Sequence, residues 1–186
     1  MVTLAALWLP IVLAAVAVFL VSSVVHMALP IHKHDYRRLP REEETLEQLR
    51  RAPLPPGIYF FPFHASAKEL ADPGARERYE KGPVGMLTVR PNGVPSMGRF
   101  LALWFLYCLV VSLFAAYLAG RTLPPGTDYL AVFRVAGTAA FLAWGIGELP
   151  GSIWRGAPWR VTLKHVADGL LYALVTAGVF GWLWPR

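Results

Sequence analysis

Eight ionisable side chains gather at the ends of the apolar stretches of this 186-residue chain: His26, His32, His34, Asp35, Glu148, Lys164, His165 and Asp168. Such groups are costly beside hydrocarbon, and where they occur they bind ions, relay protons or hold cofactors. His32-Lys33-His34-Asp35 has the ligand types of a zinc or copper site. In extended backbone residues 32 and 34 project to one side. Two imidazoles and the Asp35 carboxylate then hold a metal with one position open for water. The plainer role of such a run is a basic anchor beside anionic headgroups.

His26 and His165 lie on different predicted helices at similar depth, and are candidates for the two axial ligands of a haem iron. Small residues near His165 leave room for a porphyrin. Ser22, four residues before His26, offers that imidazole an ordinary hydrogen bond instead. Glu148, Lys164, His165 and Asp168 form a candidate proton or ion relay. Glu148 faces the negative end of its own helix dipole and needs a cation, which Lys164 or Arg155 can supply across a short turn. A salt bridge that pins the hairpin is its plainer role. Lys164 and Asp168, at i and i+4, are expected to pair. Arg134 stands alone about 8 Å inside the third stretch at 1.5 Å per residue. Its side chain can snorkel to the headgroups as an anchor, or contact an anionic lipid or a partner carboxylate.

The elements that must position these groups are four apolar stretches, 2–29, 100–120, 129–149 and 161–184, each at least 21 residues long. A helix needs about 20 apolar residues to cross a hydrocarbon core of about 30 Å. The composition agrees: 55% of residues are apolar and only 16% charged, against roughly 25% charged in soluble domains. The expected fold is an all-α integral membrane protein. Four transmembrane helices form a bundle, with a small α/β insert between helices one and two. The chain divides as 1–30, 31–98 and 99–186.

Small residues recur every fourth position in the fourth stretch, at Gly169, Ala173, Ala177 and Gly181, with His165 one turn earlier on the same face. The second stretch repeats the pattern at Cys108, Ser112, Ala116 and Gly120, and the third at Ala139, Ala143 and Gly147. Such rows let helix backbones approach closely in lipid. Helix one is less patterned and is expected to close the bundle or bind at its edge. The single cysteine, Cys108, excludes an intramolecular disulfide and reads as a packing residue.

The net charge of +6 is explained by topology, with no nucleic acid partner implied. Five bases (Lys33, Arg37, Arg38, Arg41 and Arg50) follow the first helix, and Arg155 and Arg160 lie in the 150–160 loop. Basic loops stay cytoplasmic, so 31–98 and 150–160 are expected inside and both termini outside. The Ala-, Gly-, Pro- and Arg-rich composition suits a bacterial inner membrane. No cleaved signal peptide is expected, because the first stretch lacks a basic leader and a cleavage site.

The insert is expected to rest on the helix ends. A short helix is predicted over about 40–51, its Pro40 in the first turn and its acids and bases matched to the dipole. A capping box at Ser66–Glu69 and an Asp72-Pro73 start each predict a helix. Strands are expected at 58–63 and 85–89, paired together. His64 reads as a loop histidine.

The chain has no phosphate-binding glycine loop, zinc-protease or Cys-x-x-Cys motif, and no nucleophile with a matching base. An enzyme is therefore not the leading expectation. The leading one is a non-catalytic accessory or scaffold subunit of a membrane assembly, in contact with the bilayer and with other subunits or copies of itself. The alternative is a metal-, haem- or ion-coupled protein built on the His/Glu/Asp cluster.

Overall fold

The computed structural model describes residues 1–186. Four helices are long and apolar enough to cross a membrane: Leu4–Ala28, Met97–Thr122, Tyr129–Arg155 and Trp159–Trp182. The shortest has 24 residues, about 36 Å at 1.5 Å per residue, which exceeds a hydrocarbon core. The chain forms two compact units. One comprises Met1–Asp35, Pro95–Ser152 and Ala157–Arg186, and the other Tyr36–Val94 with Ile153–Gly156.

The first unit is a ring of four helices. Helix α1 (Trp8–Ser23) opens with a 3-10 turn at Leu4–Leu7 and closes with a π turn at Val24–Ala28. It packs on α5 (Met97–Thr122), α5 on α6 (Tyr129–Trp144), α6 on α8 (Trp159–Trp182), and α8 back on α1. (α2–α4 belong to the second unit.) Helix one therefore closes the bundle. The core is lined largely by alanine, including Ala14, Ala116, Ala136 and Ala177, so the helix axes lie close. Leu103, Leu106, Phe114, Leu142, Leu170 and Leu174 all face outward, the reverse of a water-soluble bundle, where large side chains fill the interior.

The small-residue row of α8 does what its spacing predicts. A Cβ added at Gly169 would lie 2.5 Å from the carbonyl carbon and oxygen of Trp144. One added at Gly181 would lie 2.7 Å from the Tyr129 ring. Both contacts are on α6, so backbone approach holds along the length of this pair. The α5 row is also used inside the bundle. Cys108, Ser112, Ala116 and Gly120 are buried, and a Cβ at Gly120 would lie 2.6 Å from the Val2 carbonyl oxygen.

On α6 the expected row is wrong by one position. Ala143 and Gly147 are exposed and Ala139 is only half-buried. The buried face is Val132, Ala136, Ala140 and Trp144. The large Trp144 belongs there because Gly169 opens space beside its backbone. A rule that counts only small residues cannot see such a pair.

The third apolar span also ends differently. The sequence puts its end at 149, with a loop over 150–160. Instead a 3-10 turn at Ile146–Glu148 leads into α7 (Leu149–Arg155). Pro150 sits in the first turn of α7, where its missing N–H is no loss. Gly156, at φ +71°, lies just past the helix end, where a left-handed residue commonly stops it.

The second unit holds α2 (Glu42–Arg51), β1 (Gly57–Phe61), α3 (Ala67–Leu70), α4 (Pro73–Lys81) and β2 (Gly85–Val89). The strands pair antiparallel, Gly57 opposite Val89 and Phe61 opposite Gly85, as expected to within two residues. Pro40 lies before α2, which starts at Glu42 with Arg41 in the left-handed region as its cap. Ser66 and Asp72 cap α3 and α4 as predicted. His64 bonds the Tyr79 hydroxyl through Nδ1 at 2.6 Å, a structural loop contact.

Candidate metal centre

The site is built where the first span ends. The π turn Val24–Ala28 carries His26. Leu29 is extended and Pro30 opens a 3-10 turn, Pro30–His32. Proline at that position suits the fixed φ and leaves no N–H unsatisfied. The turn continues, since the Asp35 N–H donates to the His32 carbonyl at 3.1 Å. The chain thus doubles back, and the His32 ring comes 4.5 Å from that of His26.

This corrects the expected metal set. With about three residues per turn, i and i+3 share a side, so Asp35 joins His32 and His34 does not. The Asp35 carboxylate accepts from His32 Nδ1 at 2.7 Å, while His34 is exposed. An extended reading of these residues applies a period of two to a segment whose period is three.

The other half of the site is the first part of α8. Lys164 donates to the Asp35 carboxylate at 2.5 Å and to the Ile31 carbonyl at 2.6 Å. The expected Lys164–Asp168 pair is not formed, because Asp35 takes the ammonium instead. The Lys164 hydrogen bond, foremost, holds the Asp35 carboxyl below the usual carboxylate range. Desolvation opposes that shift and the His32 hydrogen bond adds to it. Asp168 turns toward the histidines: its Oδ2 is 2.9 Å from His32 Nε2 and 3.8 Å from His165 Nδ1. The His165 ring stacks 5.2 Å from that of His32.

The protonation of His32 follows from its neighbours. Asp35, ionised and paired with Lys164, can only accept, so Nδ1 of His32 carries the proton. Its Nε2 faces the Asp168 carboxylate oxygen. The two atoms are buried and close, yet not aligned as a hydrogen bond, and neither has another partner. An imidazole nitrogen and a carboxylate oxygen at 2.9 Å are held together either by a proton on Nε2 or by a metal ion that both ligate.

Two sets of ligand atoms converge here, each within 4.8 Å of one another: His26, His32 and Asp168, and His32, Asp35 and His165. Around a tetrahedral zinc with bonds of about 2.0–2.1 Å, ligand atoms are about 3.4 Å apart. Adjustments of about an ångström bring the first set, His26, His32 and Asp168, onto one ion with a fourth position open; His165 Nδ1 stands beside it, 3.8 Å from Asp168 Oδ2. Asp35 is then the outer partner. A metal-ligating histidine commonly donates its other N–H to a carboxylate in this way.

The remaining candidates fall outside this set. His26 and His165 do not frame a porphyrin, because His32 packs against both rings. The adjoining cavity, at about 80 Å3, is far smaller than the roughly 300–1,000 Å3 of cofactor pockets. Ser22 bonds the Trp104 indole at 2.8 Å rather than His26. Glu148 lies on the cavity wall but forms no ion pair with Lys164 or Arg155, so the expected hairpin salt bridge is absent. Arg134 is exposed and distant from the cluster in sequence and fold, on α6 beside Phe133 and Leu170. The signal that sequence reading passed over is the pair of i, i+3 spacings, His32–Asp35 and His165–Asp168. Comparison with protein-family models, with curated proteins and with solved structures finds no match.

Proposed function

We propose that the chain is a multi-pass membrane protein that holds a divalent transition metal of the zinc class on His26, His32 and Asp168, with the fourth position open and His165 beside it. The observation that carries this reading is the opposed, unpartnered pair of His32 Nε2 and Asp168 Oδ2, 2.9 Å apart and buried. The Lys164–Asp35–His32 chain supports it by fixing the tautomer that a ligand needs. Two imidazoles, one carboxylate and an open position suit zinc, and imidazole serves iron, copper and nickel as well. Purified in detergent, the protein is expected to take up one equivalent of Co2+ and to develop the visible bands of a tetrahedral site. Their absence at saturating Co2+ would overturn the proposal.

The bilayer setting is supported by the four apolar spans and their outward-facing leucines. The basic residues that follow the first span support a metal near the cytoplasmic face with both termini outside, and the Ala-, Gly-, Pro- and Arg-rich composition supports a bacterial inner membrane. Cys108 is buried, so single cysteines introduced as Arg41→Cys and Arg155→Cys report cleanly. Both are expected to resist a membrane-impermeant thiol reagent in intact cells and to react after lysis. Labelling of either one in intact cells contradicts this orientation. A scaffold role drew its support from small-residue faces in excess of the bundle's own needs. The α5 and α8 rows are filled by neighbouring helices of the same chain, whereas Ala143 and Gly147 of the third row stay exposed, and that face alone supports contact with another subunit.

A further inference from the structure

We infer that the cavity beside this metal site binds a small monoanion, of the size of azide or formate, between the metal and two hydrogen-bond donors, Trp144 Nε1 and Tyr172 Oη. The inference rests on the metal reading and extends it to a ligand class. His26, His165 and Asp168 line this cavity together with Trp144, Tyr172 and Glu148. An ion held by the histidines therefore meets the same space as the two donors.

Those donors are the notable feature. Trp144 is 6% exposed and Tyr172 is 3% exposed. The indole nitrogen of one and the hydroxyl of the other are buried without any hydrogen-bond partner. An indole N–H can only donate, and a phenol is a donor as well. Buried polar groups in folded proteins are almost always satisfied, so two orphans on one cavity wall call for an acceptor inside it. Trp104 makes the contrast, since its indole is satisfied by Ser22. Edge-to-face contacts of Trp144 with Tyr107 at 4.9 Å and with Tyr172 at 5.7 Å hold the ring in place.

Size and charge narrow the ligand. About 80 Å3 exceeds the roughly 10–15 Å3 that one water requires, and suits a molecule of a few heavy atoms. A divalent ion with Asp168 keeps one positive charge at the ion itself, which Glu148 on the cavity wall offsets overall. The bond to the metal and the two donors therefore favour a small monoanion. Glu148 on the wall disfavours ligands of higher charge.

Azide and formate added to the Co2+-loaded, full-length protein test this. Azide is expected to shift the visible cobalt bands saturably, and formate to compete. Tyr172→Phe, nearly isosteric, is expected to weaken azide about ten-fold with cobalt content and the azide-free spectrum unchanged. Trp144→Phe is expected to do the same, and Tyr172→Phe alone decides if that second variant loses its spectrum. No azide shift in the wild type, or wild-type azide affinity in Tyr172→Phe, overturns the subsite and leaves the metal centre standing. Failure to take up cobalt overturns both.

Discussion

Alanine at position 32 is expected to leave the protein without stoichiometric metal. His32 belongs to both converging ligand sets, and its ring packs against those of His26 and His165. Its loss removes a ligand and the centre of the cluster together. The affinity should fall by more than the 10–100-fold that an outer partner typically contributes. Asp35→Asn is expected to fall within that 10–100-fold range, since His32 keeps its ring but loses the carboxylate that fixes its tautomer. His34→Ala should bind metal as the wild type does, because His34 is exposed. Calorimetric titration with Zn2+ across the three variants gives the ranking. Equal losses for His34→Ala and His32→Ala would restore the extended-chain ligand set and overturn the turn-based one.

The second large effect belongs to the α6–α8 contact. Gly169→Val places a branched side chain where even a Cβ would lie 2.5 Å from backbone atoms of Trp144 and 2.6 Å from the Gly145 Cα. Backbone cannot rotate away as a flexible side chain can, so the two helices must separate. Overpacking in a core costs typically 1–3 kcal/mol, and this site is expected at the top of that range, about 3 kcal/mol or more. Separation also shifts Asp168, the preceding residue, against the histidines of the first span, so metal affinity should fall with stability. Gly151→Ala is the control, since nothing lies within 4 Å of its added Cβ. Denaturation midpoints in detergent micelles are expected to drop sharply for the first variant and to hold for the second. A wild-type midpoint for Gly169→Val would contradict the close packing described.

The four long helices are legible in the chain because apolar length is a property of composition, and composition needs no partner. The α8 row is legible for a related reason: glycine every few residues leaves only one face that can approach. The α6 face is not, because Trp144 is buried by a complementary glycine on another helix, and single-helix periodicity carries no such information. The site divides the same way. That His26, Glu148, Lys164, His165 and Asp168 share one level follows from their places at helix ends. Which of them meet depends on the chain reversal at Pro30. The proline is visible in the sequence, but its effect on His32 and Asp35 requires the turn's period to be recognised. Lys164 was matched to Asp168 by helix spacing, and tertiary contact with Asp35 overrode it.

X-ray absorption at the metal edge, on protein purified from its native membrane without added metal, tests the central claim most directly. The account predicts a first shell of nitrogen and oxygen at about 2.0–2.1 Å, with the outer-shell scattering of two imidazoles, lost in His32→Ala. A protein that carries no metal, or whose first shell lacks imidazole, would contradict it.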